Sequence, residues 1–320
     1  MTSAPANALV ACLSGGVGGA KLLLGLQQLM PGQAAAIVNT GDDFEHLGLR
    51  ISPDVDTALY TLSGQSNPEL GWGRRDESWH CMEALADLGA ETWFRLGDRD
   101  LALHLERTRR LNTGESLESI AARVANRWRI ATRVLPMTND RLATQVLTES
   151  GYIDFQDYFV RQQCRPRCLG YRFAGAESAT VAPAVRELLE QPLRAILIAP
   201  SNPYLSIAPI LALRDMRELI RRNGAPVIAV SPLIGGEAVK GPTAKIMREL
   251  GVDVSPLAIE DFYQGLIDGF VLDERDAHLA DRFASPLMLT DTLMQSPEDK
   301  QRVARVAIAL ALQLTQAGSD

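Results

Sequence analysis

The residues Ser14-Gly15-Gly16-Val17-Gly18-Gly19-Ala20-Lys21 stand between an apolar run, residues 8–13, and an amphipathic segment, Ala20 to Met30. Glycine has no Cβ to hold an anion off the backbone. A strand, a glycine turn and a helix start can therefore offer N–H groups and a positive helix end to a phosphate. Two common phosphate turns do not fit. A Walker loop needs Ser or Thr after its Lys, and Leu22 stands there. A dinucleotide fingerprint wants Gly or Ala where Lys21 stands. The competing account of the glycines is close packing of strand on helix.

Three further loops carry residues able to do chemistry. Asn39-Thr40-Gly41-Asp42-Asp43 and Ser52-Pro53-Asp54-Val55-Asp56-Thr57 bring together four carboxylates. Magnesium favours carboxylate, water and substrate phosphate together, and the same carboxylates could orient an attacking hydroxyl. Asp54 and Asp56 also suit the first turn of a helix starting at Ser52-Pro53, where acids complement the helix dipole. Pro200-Ser201-Asn202-Pro203 could recognise a base or ribose, or simply build a turn. Gly241-Pro242 begins a helix that would bring Lys240 and Lys245 to its positive end as a second anion site.

Loops of this kind gather at one edge when they follow the strands of an open parallel sheet. Short apolar runs at residues 8–13, Ala34–Val38, Ala195–Ala199 and Val227–Val230 alternate with helical patterns, which predicts an α/β, Rossmann-like, mainly parallel sheet with helices on both faces. Residues 1–63 and 192–320 read as the nucleotide-binding core of a single domain. Residues 64–191 read as a mostly helical substrate-binding insertion with short strands around Tyr152 to Cys168. A last helix starts at Ser296-Pro297, with Val303, Val306, Ala307, Leu310 and Leu314 as its apolar stripe.

Composition narrows the class. With 46% hydrophobic residues in 320 the chain can bury a large core, and a net charge of −7 argues against a nucleic-acid or acidic-membrane surface. No apolar run approaches a membrane span. Met1 to Pro5 lack the basic start of a secretory signal, and four cysteines give no disulfide framework, so a cytoplasmic protein is expected. Cys164 and Cys168 have the wrong spacing for a metal pair. The four histidines read as packed or solvated. The charged clusters Arg95-Leu96-Gly97-Asp98-Arg99-Asp100 and Leu272-Asp273-Glu274-Arg275-Asp276 read as surface ion pairs.

Taken in order, the glycine turn, Asn39 to Asp43, Ser52 to Thr57, Leu96 to Asp100, Phe155-Gln156-Asp157-Tyr158-Phe159, Pro200 to Pro203 and Val239-Lys240-Gly241-Pro242 closely resemble the 2-phospho-L-lactate transferase (CofD) family of coenzyme factor 420 biosynthesis. The resemblance implies a reaction. A phosphorylated three-carbon acid passes from its guanosine-diphosphate-linked donor to the ribityl hydroxyl of a deazaflavin precursor, and GMP leaves. It also implies Mg2+ and a homodimer. On this basis Gly15, Gly16, Gly18, Lys21, Lys240 and Gly241 hold the diphosphate, and Ser201 and Asn202 the guanosine. Asp43 and Asp54 bind the metal, Asp56 and Arg95 place the deazaflavin, and Asp43, Asp54 and Asp56 form the catalytic group. Val17 stands where the family often has Thr. The rival readings are a non-catalytic nucleotide-sugar-binding regulator of related fold and a nicotinamide-dependent dehydrogenase.

Overall fold

A computed structural model describes residues 8–68, 72–238 and 241–317. Its centre is a sheet of seven parallel strands: β1 (Val10–Ser14), β2 (Ala34–Val38), β3 (Arg133–Pro136), β4 (Ala195–Ile198), β5 (Val227–Val230), β6 (Gly269–Asp273) and β7 (Leu287–Thr290). They lie in the order β7-β6-β5-β4-β1-β2-β3, an open α/β Rossmann-like sheet. Apart from Ser14 and Asp273 at their carboxyl ends, the inner strands carry no polar side chain, because both faces are covered. Alternate residues feed separate cores. Leu13, Ile37, Ile198 and Phe270 point to one, and Cys12, Val38, Leu197 and Val271 to the other.

Chain order reverses between β1 and β4, so their following segments leave to opposite faces. Helix α1 (Gly16–Leu29) packs with Val303, Ala307 and Leu310 of the last helix, whereas Leu205, Ile207 and Ile210 after β4 join the other core. A crevice opens at such a reversal, at the carboxyl ends of the strands. The last helix, Pro297–Ala317, starts as expected. Ser296 Oγ accepts the Asp299 N–H at 3.1 Å, and Asp299 Oδ2 accepts the Ser296 N–H at 2.8 Å. It lies so close to α1 that a Cβ on Gly25 would collide with the Lys300 carbonyl. Backbone cannot step aside as a side-chain tip can. Gly25→Ala is therefore expected to cost about 1–3 kcal/mol in denaturant unfolding; an unchanged midpoint would contradict this packing.

The stretch 64–191 departs from the expected helical insertion. Helices His80–Asp87, Asp98–Asn112 and Leu117–Arg127 fill its first half, but β3 then returns to the main sheet beside β2. An antiparallel sheet follows, formed by Ala143–Thr148, Gly151–Asp154 and Gly170–Ala174, and then helix Pro183–Glu190. β3 escaped notice because it is an edge strand, short and ending in Pro136, which edges tolerate. Among the described residues, no helix is long and apolar enough to cross a membrane.

Candidate active site

Helix α1 begins at Gly16, four residues before the expected Ala20, so the glycine turn is the helix's own first turn. Gly16 has φ +64°, and a Cβ there would meet nothing within 4 Å. The other glycines permit contact. A Cβ on Gly18 would strike the Pro200 carbonyl, one on Gly19 the Ser14 side chain, and one on Gly15 would lie 2.7 Å from Asp54 Oδ2. Packing and cradle therefore coexist: Gly15, Gly18 and Gly19 bring β1 and β4 together, and Gly16 opens the cleft. Of the four N–H groups that helix geometry leaves without intrahelical acceptors, those of Gly15 and Gly16 go to Ser201 and Asp54, and those of Val17 and Gly18 face the cleft.

Ser201 ties the two sides of the crevice. Its hydroxyl donates to the Gly15 carbonyl at 2.7 Å and accepts the Gly15 N–H at 3.2 Å. Asn202 Oδ1 accepts the N–H groups of Tyr204 and Leu205, capping the turn that follows, while its Nδ2 is buried without a partner. Of the two residues expected at a guanosine, Ser201 is thus a clamp and Asn202 keeps a donor in reserve.

The acidic loops meet the glycine turn directly. Asp54, in the first turn of α2 (Pro53–Leu62), accepts the Gly16 N–H at 2.7 Å through Oδ1 and the Asn39 amide at 2.9 Å through Oδ2. Asn39 in turn accepts the Gly41 N–H. Asp43 Oδ2 accepts the Ser52 hydroxyl at 2.6 Å, but Asp43 Oδ1, Asp42 Oδ1 and Thr40 Oγ1 are buried without partners. Burial, together with the charges of Asp54 and Asp43, holds the Asp42 carboxyl well above the usual range. Burial also holds Asp43 well above it, against the Ser52 hydrogen bond and the Arg107 charge. Asp54 is pushed up to about 6 by burial, and its bonds from Asn39 and Gly16 limit the rise.

A divalent cation would suit this arrangement, since it would satisfy the orphaned oxygens and favour ionised carboxylates. Among the described residues no three His, Cys, Asp or Glu side chains converge as a ready cage. Magnesium does not need one, because it binds through one or two carboxylates plus water and substrate phosphate. The donor set fits.

The other expected residues are placed differently. Asp56 is clasped by Arg107 from helix Asp98–Asn112. Arg95 lies over the Trp79 ring at 4.3 Å, on the exposed side of a segment whose Trp93 and Phe94 pack with Phe44 and His46. Lys21 Nζ donates to the Met294 carbonyl at 2.7 Å, which ties it to the segment before the last helix. Lys240 lies outside the described residues. Gly241 is exposed with φ +77°, and Lys245 is bonded to Tyr158, Pro166 and Glu249, so Lys245 does not build the expected second anion site.

Neither charged cluster is a mere surface network. Asp98 caps helix His80–Asp87 through the Cys81 N–H, Asp100 is buried beside His104, and Asp273 is fully buried under Thr292 and Arg275. Sequence reasoning missed Arg107, His104 and the ring cluster of Phe44, His46, Trp93 and Phe94. The spacing Asp100, His104, Arg107 on one helix face was the available signal for the first two.

The family model described as 2-phospho-L-lactate transferase CofD matches residues 10–307. A phosphoenolpyruvate transferase of Streptomyces coelicolor is 38% identical over 323 residues, covering 96% of this chain and 99% of its own. A 2-phospho-L-lactate transferase of Methanosarcina acetivorans is 40% identical over 304 residues, covering 93% and 97%. In fold, the crystal structure of a UPF0052 family protein from Bacillus halodurans matches with a TM-score of 0.63 at 16% identity, covering 94% and 99%. The chain belongs to the 2-phospho-L-lactate transferase CofD family, and it is a transferase of deazaflavin coenzyme biosynthesis.

Proposed function

We propose that the enzyme transfers a phosphorylated three-carbon acid from its guanosine-diphosphate-linked donor to the ribityl hydroxyl of the deazaflavin precursor, releasing GMP. The observation that carries this reading is the direct contact of Asp54 with the Gly16 N–H, which joins a phosphate cradle to a buried acidic cluster. The transferred acid is phospholactyl, phosphoenolpyruvyl or phosphoglyceryl; the relatives' names divide between the first two.

Phosphoryl transfer asks a protein mainly for positioning and charge neutralisation. The N–H groups of Val17 and Gly18 hold the donor's diphosphate at the positive end of α1. Asn202 Nδ2 donates to the guanosine. Asp43 and Asp54, with Asp42 beside them, would hold Mg2+, which would supply neutralisation of the phosphate charge. Asp56 and Arg95 place the deazaflavin, with the ring cluster at Trp93 and Phe94 offering a flat apolar surface. The hydroxyl oxygen forms its bond to the phosphorus bearing the acid as the bond to GMP breaks. Its proton passes to a carboxylate of the acidic cluster.

Thermal shift separates this reading from the non-catalytic regulator. The enzyme is expected to be stabilised by the deazaflavin and by GDP with Mg2+; stabilisation by nucleotide sugars alone, with no response to the deazaflavin, would favour the regulator. The same reading makes the protein a cytoplasmic homodimer, which light scattering checks by mass.

Metal response should depend on pH. Asp54 titrates at about 6 in the fold against an ordinary 3.8, so between these values the folded state holds more protons than the unfolded. In metal-free protein its contribution therefore falls as pH rises through that window. Mg2+ should recover the loss, raising Tm at about pH 7.5 and having little effect at about pH 5, where the carboxyls keep their protons. Equal Tm shifts at both pH values would contradict the assignment.

A further inference from the structure

One buried cation behind the acidic cluster has no part in the roles above. Arg107 is 2% exposed, and its guanidinium grips Asp56 with both terminal nitrogens, one at 3.0 Å and the other closer. The same nitrogen that lies at 3.0 Å donates to the Arg50 carbonyl at 3.4 Å and lies 3.3 Å from His104 Nδ1. His104, 1% exposed, stands 3.7 Å from Asp56 Oδ2 and 3.2 Å from Asp100 Oδ1, and Asp100 also receives the Tyr60 hydroxyl. Glu77 fixes the start of this helix by accepting the N–H groups of Arg99 and Asp100.

A buried ion pair is a poor way to gain stability, because desolvation consumes most of the attraction. What a forked guanidinium supplies is orientation, since two parallel bonds allow a carboxylate one plane. The Arg50 carbonyl belongs to the hairpin Phe44–His46 and Leu49–Ile51 that continues the acidic loop, and Arg50 N–H bonds Thr108 on the same helix. Arg107 thus refers Asp56 to both sides of the acceptor region. We infer that Arg107, seconded by His104, is a positioning residue that acts through Asp56, holding its carboxylate where the acceptor hydroxyl is placed. This rests on the proposed role of Asp56 in placing the deazaflavin. The competing account is a helix-to-helix staple with no bearing on the reaction.

A double-mutant cycle decides between them, with Arg107→Lys, Asp56→Asn and the pair assayed for kcat and for both KM values. Lysine keeps the charge and loses the fork. Arg107→Lys is expected to lower kcat over acceptor KM roughly 10–100-fold while donor KM stays unchanged, as for other residues that orient a reacting group. On the Asp56→Asn background the same change should cost under about 3-fold, because the residue it acts through is already altered. Equal costs on both backgrounds, or equal effects on donor and acceptor, would leave only the staple and overturn the inference. Melting curves check folding. If Arg107→Lys does not fold, His104→Gln takes its place in the cycle, with a loss of about 10-fold expected and the same non-additivity required. An unmodified enzyme that transfers nothing to the deazaflavin overturns the functional reading, and this inference with it, before any variant is compared.

Discussion

Asp54→Asn is expected to reduce turnover about 100- to 1,000-fold, the range seen when one preorganised charge-stabilising group is lost. The substitution is nearly isosteric. Its oxygen can still accept the Gly16 N–H, but its new amide faces the Asn39 amide that now donates to Asp54 Oδ2. Asn39 could turn over only by releasing the Gly41 N–H from its own oxygen. One hydrogen bond is therefore lost in the loop, at about 1–3 kcal/mol. That leaves the fold intact and separates the two effects. Steady-state rates and denaturant unfolding on one preparation check both; near-normal turnover would remove Asp54 from the chemistry.

Gly18→Ala should act through geometry alone. The added methyl meets the Pro200 carbonyl across the crevice, and only separation of the β1 and β4 turns relieves it. Displacement of this size at a reacting centre can cost about 100-fold in kcat/KM, with about 1–3 kcal/mol of overpacking. Gly224→Ala is the control. Gly224 has φ +73° and lies before β5, at the edge of the sheet opposite the crevice. It carries backbone strain of about 1–2 kcal/mol and no clash, so stability should fall while kcat/KM holds. Parallel losses of activity in both variants would mean that general destabilisation, not crevice width, governs the rate.

Four of the five inner strands were legible because burial on both faces demands unbroken apolar runs, as in Ala195-Ile196-Leu197-Ile198; β6 was missed, since Gly269 opens it and Asp273 at its end read as part of a charged cluster. β3 and β7 were not legible either, since edge strands such as Leu287–Thr290 keep one side half-exposed and lose that signature. The glycines and aspartates could be found because each set is concentrated in a short stretch of sequence. Their division of labour could not. Arg107 meets Asp56 across 51 residues of sequence, and nothing local announces the pairing. Glycine's poor helix propensity hid the true start of α1 at Gly16, so Lys21 read as the second residue of the helix when it lies more than a turn in, beside Met294.

The most direct measurement is mass spectrometry of the deazaflavin after incubation with the enzyme, Mg2+ and guanosine-diphosphate-linked three-carbon acids. The account predicts a deazaflavin heavier by one phosphorylated three-carbon acid, with GMP appearing in equal amount, and the added mass names the acid. A deazaflavin of unchanged mass with every donor, from folded and metal-loaded protein, would contradict it.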